Sequence, residues 1–518
     1  MRRNQRRHYR KACLARGRGT GILLALTLAC SAAAEVQVFE QNVVIVMGRR
    51  ETQEDVRFIA LQEAKRLVLE KVGTYLTGST EIVQRVRESE RGVSDETELN
   101  KHTQAITVGV TKTEIIGEWW VPREGALACS LTCKIAVDPD DVMKRLDALL
   151  LDKQKAADYE ALNSEVDRLR NDMVELRERL EKAPQEQAKE VKQAIKQTTM
   201  AFSAADWFQK GLEADDLDAR IAAYNEAIRL NPGWGSPYNN RGIAYANRRL
   251  YDRAIEDFDR AIALDPKQVF PYNNRGGAYM DKGLYDRAIE DFDRALILDP
   301  KYPQAYSNRG NAYCGKGFYG RAIDDYDSAI ALDPKFADAY GNRGNAYYLK
   351  GIYDRAIDDY DRAIALNAKY PRAYINRGNA YIGKGHYDLA IEDFDKAIAI
   401  NPNNPEFAPA YAGRGWAYFE KGLYDKTIED CNQALVLEPN NAAAINNRGA
   451  AYYKKGLYDR AISDCDSAIF LYPQLGEAHY WRGLTYLAKG DTATARTSLE
   501  QARDLGYLDA EGELQKLK

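Results

Sequence analysis

Six asparagines stand at matching places in the chain, Asn240, Asn274, Asn308, Asn342, Asn376 and Asn447, each followed by Arg-Gly. A carboxamide both donates and accepts hydrogen bonds, so a row of them can hold the backbone of an extended peptide with little regard for its side chains. Three residues further on, the middle copies add Asn311, Asn345 and Asn379, with Gly277 and Trp416 interrupting this second row on either side. Another three residues on come Met280, Tyr348, Ile382, Phe419 and Tyr453, apolar groups that could anchor a bound segment or pack on the next copy. No constellation at catalytic or metal-ligand spacing stands out: beyond the leader the histidines are His102, His386 and His479, none beside a Cys or His at metal-ligand spacing. Phosphate loops and nucleophile elbows are absent too. The expectation is a protein without enzymatic activity, cofactor or metal, whose partner is a protein or peptide.

The elements that must position these side chains follow from the period. Aligned on Arg-Gly, the glycines fall at Gly242, Gly276, Gly310, Gly344 and Gly378, then Gly415, Gly449 and Gly483, spaced by 34 residues with one step of 37. In a frame opened at Gly235 the first clear copy carries Tyr238, Gly242, Tyr245, Ala254, Phe258, Ala261 and Pro266, and later copies repeat these places. Small residues let two antiparallel helices approach, aromatics and Ile255 and Ile262 fill the space around them, and proline marks the break before the next copy.

This pattern resembles the tetratricopeptide repeat family. The resemblance implies a right-handed α-α superhelix with a long concave surface, built here from nine units over 201–509, the first and last degenerate, and closed by a C-terminal cap at 510–518. The Asn row at the sixth place is similar to the asparagine ladder in the repeat superhelix of O-linked N-acetylglucosamine transferases, which implies peptide binding. The alternative is that each Asn bonds a neighbouring helix. The chaperone-type carboxylate clamp of the family needs Lys at the fifth place, where this chain has Asn239, Asn273, Ser307, Gly341, Ile375, Ala412, Asn446 and Tyr480. Acidic chaperone tails are therefore not expected ligands. The seventh-place arginines, Arg241 to Arg482, are expected to pair with the acidic "EDFD" and "DDYD" segments.

The front of the chain reads differently. Residues 1–34 hold eight Lys and Arg, no acid, the apolar run "GILLALTLAC" and then "SAAA", the layout of a secretory signal peptide. Cleavage after "AAA" and lipidation of Cys30 in an imperfect lipobox both remain open, so membrane association through a lipid anchor is one expectation. Removing the eight positive charges takes the formal charge from −4 to −12, which argues against a nucleic-acid partner. Residues 35–150 read as a small α+β domain of strand, amphipathic helix and hairpin. Cys129 and Cys133 point the same way along its last strand, about 13 Å apart and too far for a disulfide. The "ALQEAKRLVLEKVG" helix within that strand order resembles the N-terminal domain of flagellar assembly protein T and related envelope lipoproteins, which implies an envelope location.

In 151–183, Tyr159, Leu162, Val166, Leu169, Met173, Leu176 and Leu180 alternate spacings of three and four, the seam of a short coiled coil. It either self-associates into a homo-oligomer or folds back as a lone helix. A polar linker at 184–200, expected to be helical in part, leads to the repeats. The fold expected is mainly α, a superhelix preceded by this coil and the α+β domain. The function expected is an exported binding scaffold of the periplasm or outer membrane. The rival is a structural component or assembly factor of an envelope complex, docking through the convex face or the N-terminal domain.

Overall fold

The computed structural model describes residues 37–47, 53–78, 113–123, 126–137, 153–402 and 404–517. The leader, Cys30 and the "AAA" exit lie outside the described residues. The chain divides into two compact units, Met1–Asp167 with Val174–Lys192, and Arg168–Met173 with Gln193–Lys518.

In the first unit, β1 (Gln37–Val46), β2 (Thr113–Arg123) and β3 (Ala126–Val137) form an antiparallel sheet in the order β1-β3-β2. The β2–β3 register runs from Arg123 opposite Ala126 to Thr113 opposite Ile135, with one irregularity between Ile115 and Gly117, so the expected hairpin is present. Helix α1 (Gln53–Gly78) packs on β1 and β3 through Val56, Ala60, Ala64, Val68 and Val72, a stripe spaced by four and fully buried. Cys129, Leu131 and Cys133 are buried as well, and both thiols are free.

Helix α2 (Lys153–Lys182) carries the expected seam. Tyr159, Leu162, Leu169, Met173 and Leu180 are buried within the single chain, and Val166 and Leu176 are partly buried. The polar linker, expected to be helical in part, is helical from Ala188 onward: α3 (Ala188–Glu213) runs without a break into the first repeat. Its exposed polar face hid a buried one made of Ala188, Val191 and Ile195.

In the second unit, α3 pairs with α4 (Leu217–Leu230) through Gly211 and Tyr224. Eight further helix pairs follow: α5 (Gly235–Asn247) with α6 (Tyr251–Leu264), α7 (Val269–Asp281) with α8 (Tyr285–Leu298), α9 (Pro303–Gly315) with α10 (Tyr319–Leu332), and α11 (Ala337–Leu349) with α12 (Tyr353–Leu366). The last four are α13 (Pro371–Gly383) with α14 (Tyr387–Ile400), α15 (Ala408–Glu420) with α16 (Tyr424–Leu437), α17 (Ala442–Lys454) with α18 (Tyr458–Leu471), and α19 (Gly476–Ala488) with α20 (Thr492–Asp504). Helix α21 (Asp509–Lys516) closes the stack by laying Ala510 and Leu514 on Leu499 and Ala502.

The place-eight glycine has a steric cause: a Cβ on Gly344 would lie 2.8 Å from the Tyr360 ring, and one on Gly242 2.6 Å from Phe258. Between the helices of a pair the chain turns through a left-handed residue, Gly351 at φ 73° in the α11–α12 turn, where the Ile352 N–H bonds back to the Tyr347 carbonyl. In the α5–α6 turn that place is Arg249, at φ 59°.

Candidate peptide-binding groove

The first helices of successive copies touch one another, while successive second helices make no comparable contact. The stack therefore curves with α5, α7, α9, α11, α13, α15, α17 and α19 on its inner side. Both asparagine rows and the apolar place lie on these inner helices.

The stack is fastened by charge. Arg343 of α11 grips Asp359 of α12 with two bonds, Nε to Oδ2 at 2.8 Å and Nη2 to Oδ1 at 2.6 Å, and its Nη1 reaches Asp327 of the preceding copy. Every copy from Arg241 to Arg448 repeats this fork. Pairing of these arginines with the acidic segments is thus what the structure contains. The hydrogen bonds it donates to Asp359 hold the Arg343 guanidinium charged above its ordinary range, while burial pushes the Asp359 carboxyl up against the pull of that guanidinium. The two directions oppose each other, and the bidentate geometry settles the pair as ions. A second ladder joins copies at the turns, where Lys384 meets Asp354 and Lys421 meets Asp388.

Most of the sixth-place amides are spent inside the stack. Asn274 donates to Asn239 Oδ1 at 3.0 Å, Asn308 to Asn273 Oδ1 at 3.0 Å, and Asn342 to Ser307 Oγ at 3.5 Å, each tying one inner helix to the one before. Asn447 donates to the Ala412 carbonyl, and Asn240 to Ser236 of its own helix. Apart from Asn240, the acceptors are fifth-place residues of the preceding copy. Gly341 has no side chain to offer, and the amide of Asn376 one copy later makes no side-chain hydrogen bond among the described residues.

The ninth-place row divides in the same way. Asn311 accepts from the Tyr326 hydroxyl at 2.7 Å. The side chains of Asn345 and Asn379 carry no hydrogen bond among the described residues, and the buried Tyr360 hydroxyl, equivalent to that of Tyr326, has no partner among them. Asn345, Asn376 and Asn379 therefore form one patch of uncommitted carboxamides on α11 and α13, all half-buried and flanked by the half-buried Tyr348 and Ile382. Tyr348 also lies against Tyr353, with ring centroids 5.6 Å apart.

Past the 37-residue step the inner face turns aromatic. Phe419 is buried, stacked on Trp416 at 4.9 Å and edge-on to Trp481 at 5.5 Å, so it packs on its neighbours rather than waiting for a ligand. Tyr453 stays half-buried, 5.7 Å from Trp481. Sequence reasoning missed Trp481 and Glu477. The signal was Trp481 itself, standing at the sixth place of its copy where the row has Asn. Asn446, the fifth-place residue behind it, consequently has a buried Oδ1 without a donor.

Family models described as tetratricopeptide repeat match residues 236–268, 371–404 and 446–510, and one described as TPR repeat matches 276–317, 310–351, 344–385 and 415–456. The chain carries tetratricopeptide repeats, stacked in the superhelix of that family. Among solved structures it is similar to a tetratricopeptide repeat protein from Parabacteroides merdae, at 24% identity over 48% of this chain and 98% of that one, with a TM-score of 0.40. It is also similar to MamA, at 34% identity over 31% of this chain and 94% of the other, with a TM-score of 0.29. YrrB, described as a TPR protein with an unusual peptide-binding site, matches at 24% identity over 37% and 99%, with a TM-score of 0.28.

Proposed function

We propose that the repeats hold an extended segment of a partner protein in the inner groove, and that Asn345, Asn376 and Asn379 are the carboxamides that bond its backbone. The observation that carries this reading is selective: amides elsewhere in both rows have partners within the chain, while these three neighbours do not. Asn240, Asn274, Asn308, Asn342 and Asn447 are the mortar of the groove, and Tyr348 is its nearest apolar anchor. The chain is exported by its first 34 residues and works in the cell envelope, either free in the periplasm or held to the outer membrane through Cys30. Its N-terminal domain, with its likeness to flagellar assembly protein T, docks the scaffold to an envelope component.

The test begins with peptides selected from a random library on the whole mature chain, followed by fluorescence anisotropy. Ala at Asn345, Asn376 and Asn379 should weaken binding by about tenfold or more, about 1.4 kcal/mol, with melting unchanged. Ala at Asn274, Asn308 and Asn342 should instead lower stability. Unchanged affinity in the first variant removes the reading. N-terminal sequencing of protein recovered from envelope fractions tests export and separates cleavage before Glu35 from cleavage before Cys30.

A second reading, assembly of an envelope complex through the outer face, draws on Val436 and Phe470. They occupy the same place on outer helices α16 and α18 and are 74% and 85% exposed.

A further inference from the structure

The C-terminal end of the groove has a chemistry of its own. Trp416, Tyr453, Tyr480 and Tyr507 are half-buried there, joined through Trp481, which lies 5.4 Å from Tyr480, and through the Tyr480–Tyr507 contact at 4.8 Å. Two carboxylates border these rings. Glu477 is half-buried and accepts from Trp481 Nε1 at 3.2 Å, and the exposed Glu420 accepts from the Tyr387 hydroxyl at 3.2 Å. Neither has an ion pair among the described residues, whereas the carboxylates of the repeating forks and turns do. Asn446, 1% exposed, sets its unpaired Oδ1 behind the same place.

Two carboxylates without ion pairs and a buried acceptor without a donor lack one thing, a positive group with several N–H bonds, and aromatic faces stand beside them to receive it. The faces already attract one: the ammonium of the exposed Lys454 rests 5.8 Å from the Tyr453 ring and 5.6 Å from the Trp481 ring. The nearby Asp509 and Glu513 add negative potential, felt at Tyr480.

We propose that this end of the groove is a subsite for a cationic side chain, lysine or arginine, on the partner segment. The subsite rests on the reading of the groove as peptide-binding and adds its specificity: the amide patch takes the backbone without regard to sequence, and the aromatic and acidic end selects a basic residue. An acidic segment is rejected here by repulsion.

Library-selected peptides and their copies with every Lys and Arg replaced by norleucine provide the test, titrated by anisotropy against the whole mature chain. The selected peptides should carry Lys or Arg, and norleucine should weaken them by about tenfold. Glu420→Gln with Glu477→Gln should weaken the cationic peptide by about the same factor and the norleucine peptide by less than about twofold. Glu420→Gln alone, at an exposed position, repeats the test if the double variant melts early. Selected peptides without Lys or Arg, or a glutamine variant that treats the two peptides alike, overturn the subsite. Ala at Asn345, Asn376 and Asn379 separates the failures. If it weakens both peptides while the glutamine variant discriminates nothing, the groove stands and the subsite falls. If the glutamine variant discriminates while the alanine variant binds like the wild type, the subsite stands and the amide reading falls.

Discussion

Replacing Asp359 by Ala should be far more damaging than replacing Lys384 by Ala, although each removes one ion pair from the same region of the stack. Asp359 is 6% exposed and receives two short bonds from Arg343, whose side chain is 20% exposed. Hydrogen bonds to charged groups contribute about 1.5–3 kcal/mol each. At the lower end, because Arg343 keeps its bond to Asp327 and some water, the loss is about 3 kcal/mol. The Lys384–Asp354 pair has side chains 31% and 80% exposed, so its loss is below about 1 kcal/mol. Stacked repeats need not unfold in one step. Urea midpoints should therefore be read together with amide exchange in α11 and α12, where Asp359→Ala opens the pair and Lys384→Ala does not. The combined Arg343→Met, Asp359→Leu variant should recover most of the loss, because the buried charge leaves with its partner. Equal effects of the two alanines, or no recovery in the apolar pair, would refute the reasoning that burial and bidentate geometry set the strength of the ladder.

Other outcomes follow from single positions. Arg249→Gly should stabilise by about 0.5–1 kcal/mol, seen as a higher urea midpoint, because a side chain at φ 59° is strained where the other turns have glycine. Gly344→Ala should cost about 1–3 kcal/mol through the Tyr360 ring, whereas Gly277→Ala, with open space around it, should gain about 0.5–1 kcal/mol. Burial pushes the Cys431 thiol up to about 12, so the folded protein should resist iodoacetamide at Cys431 near neutral pH, measured by mass spectrometry, and lose that resistance in urea. Phe470→Glu should leave peptide affinity unchanged and reduce recovery of the protein with large envelope assemblies, if the outer face docks as the second reading holds.

The helix pairs were legible because each copy states the same demand. Gly at place eight and an aromatic at place twenty-four are halves of one contact, seen in Gly344 against Tyr360, and a contact repeated every 34 residues cannot be mistaken for composition. The Arg fork was legible for the same reason, since Arg and Asp recur together. The fate of the asparagines was not. Whether Asn376 is free depends on Gly341 in the preceding copy, a relation that appears only once the inner helices are stacked. The seam of α2 is ambiguous in another way: Tyr159, Leu162, Leu169 and Met173, three, seven and four residues apart, describe an apolar stripe, and a stripe looks alike whether a second chain or the same chain covers it. At the C-terminal end, Trp481 broke the Asn pattern in plain view, but its link to Glu477 and Asn446 is a matter of side-chain geometry.

The proposed groove holds an extended segment along the inner helices at the amide patch. Amide hydrogen exchange of the whole chain, with and without a selected peptide, locates that segment directly. New protection should concentrate in α11 and α13, around Asn345, Asn376 and Asn379, with the outer helices α12 and α14 unchanged. Protection confined to outer helices or to the N-terminal unit would contradict it.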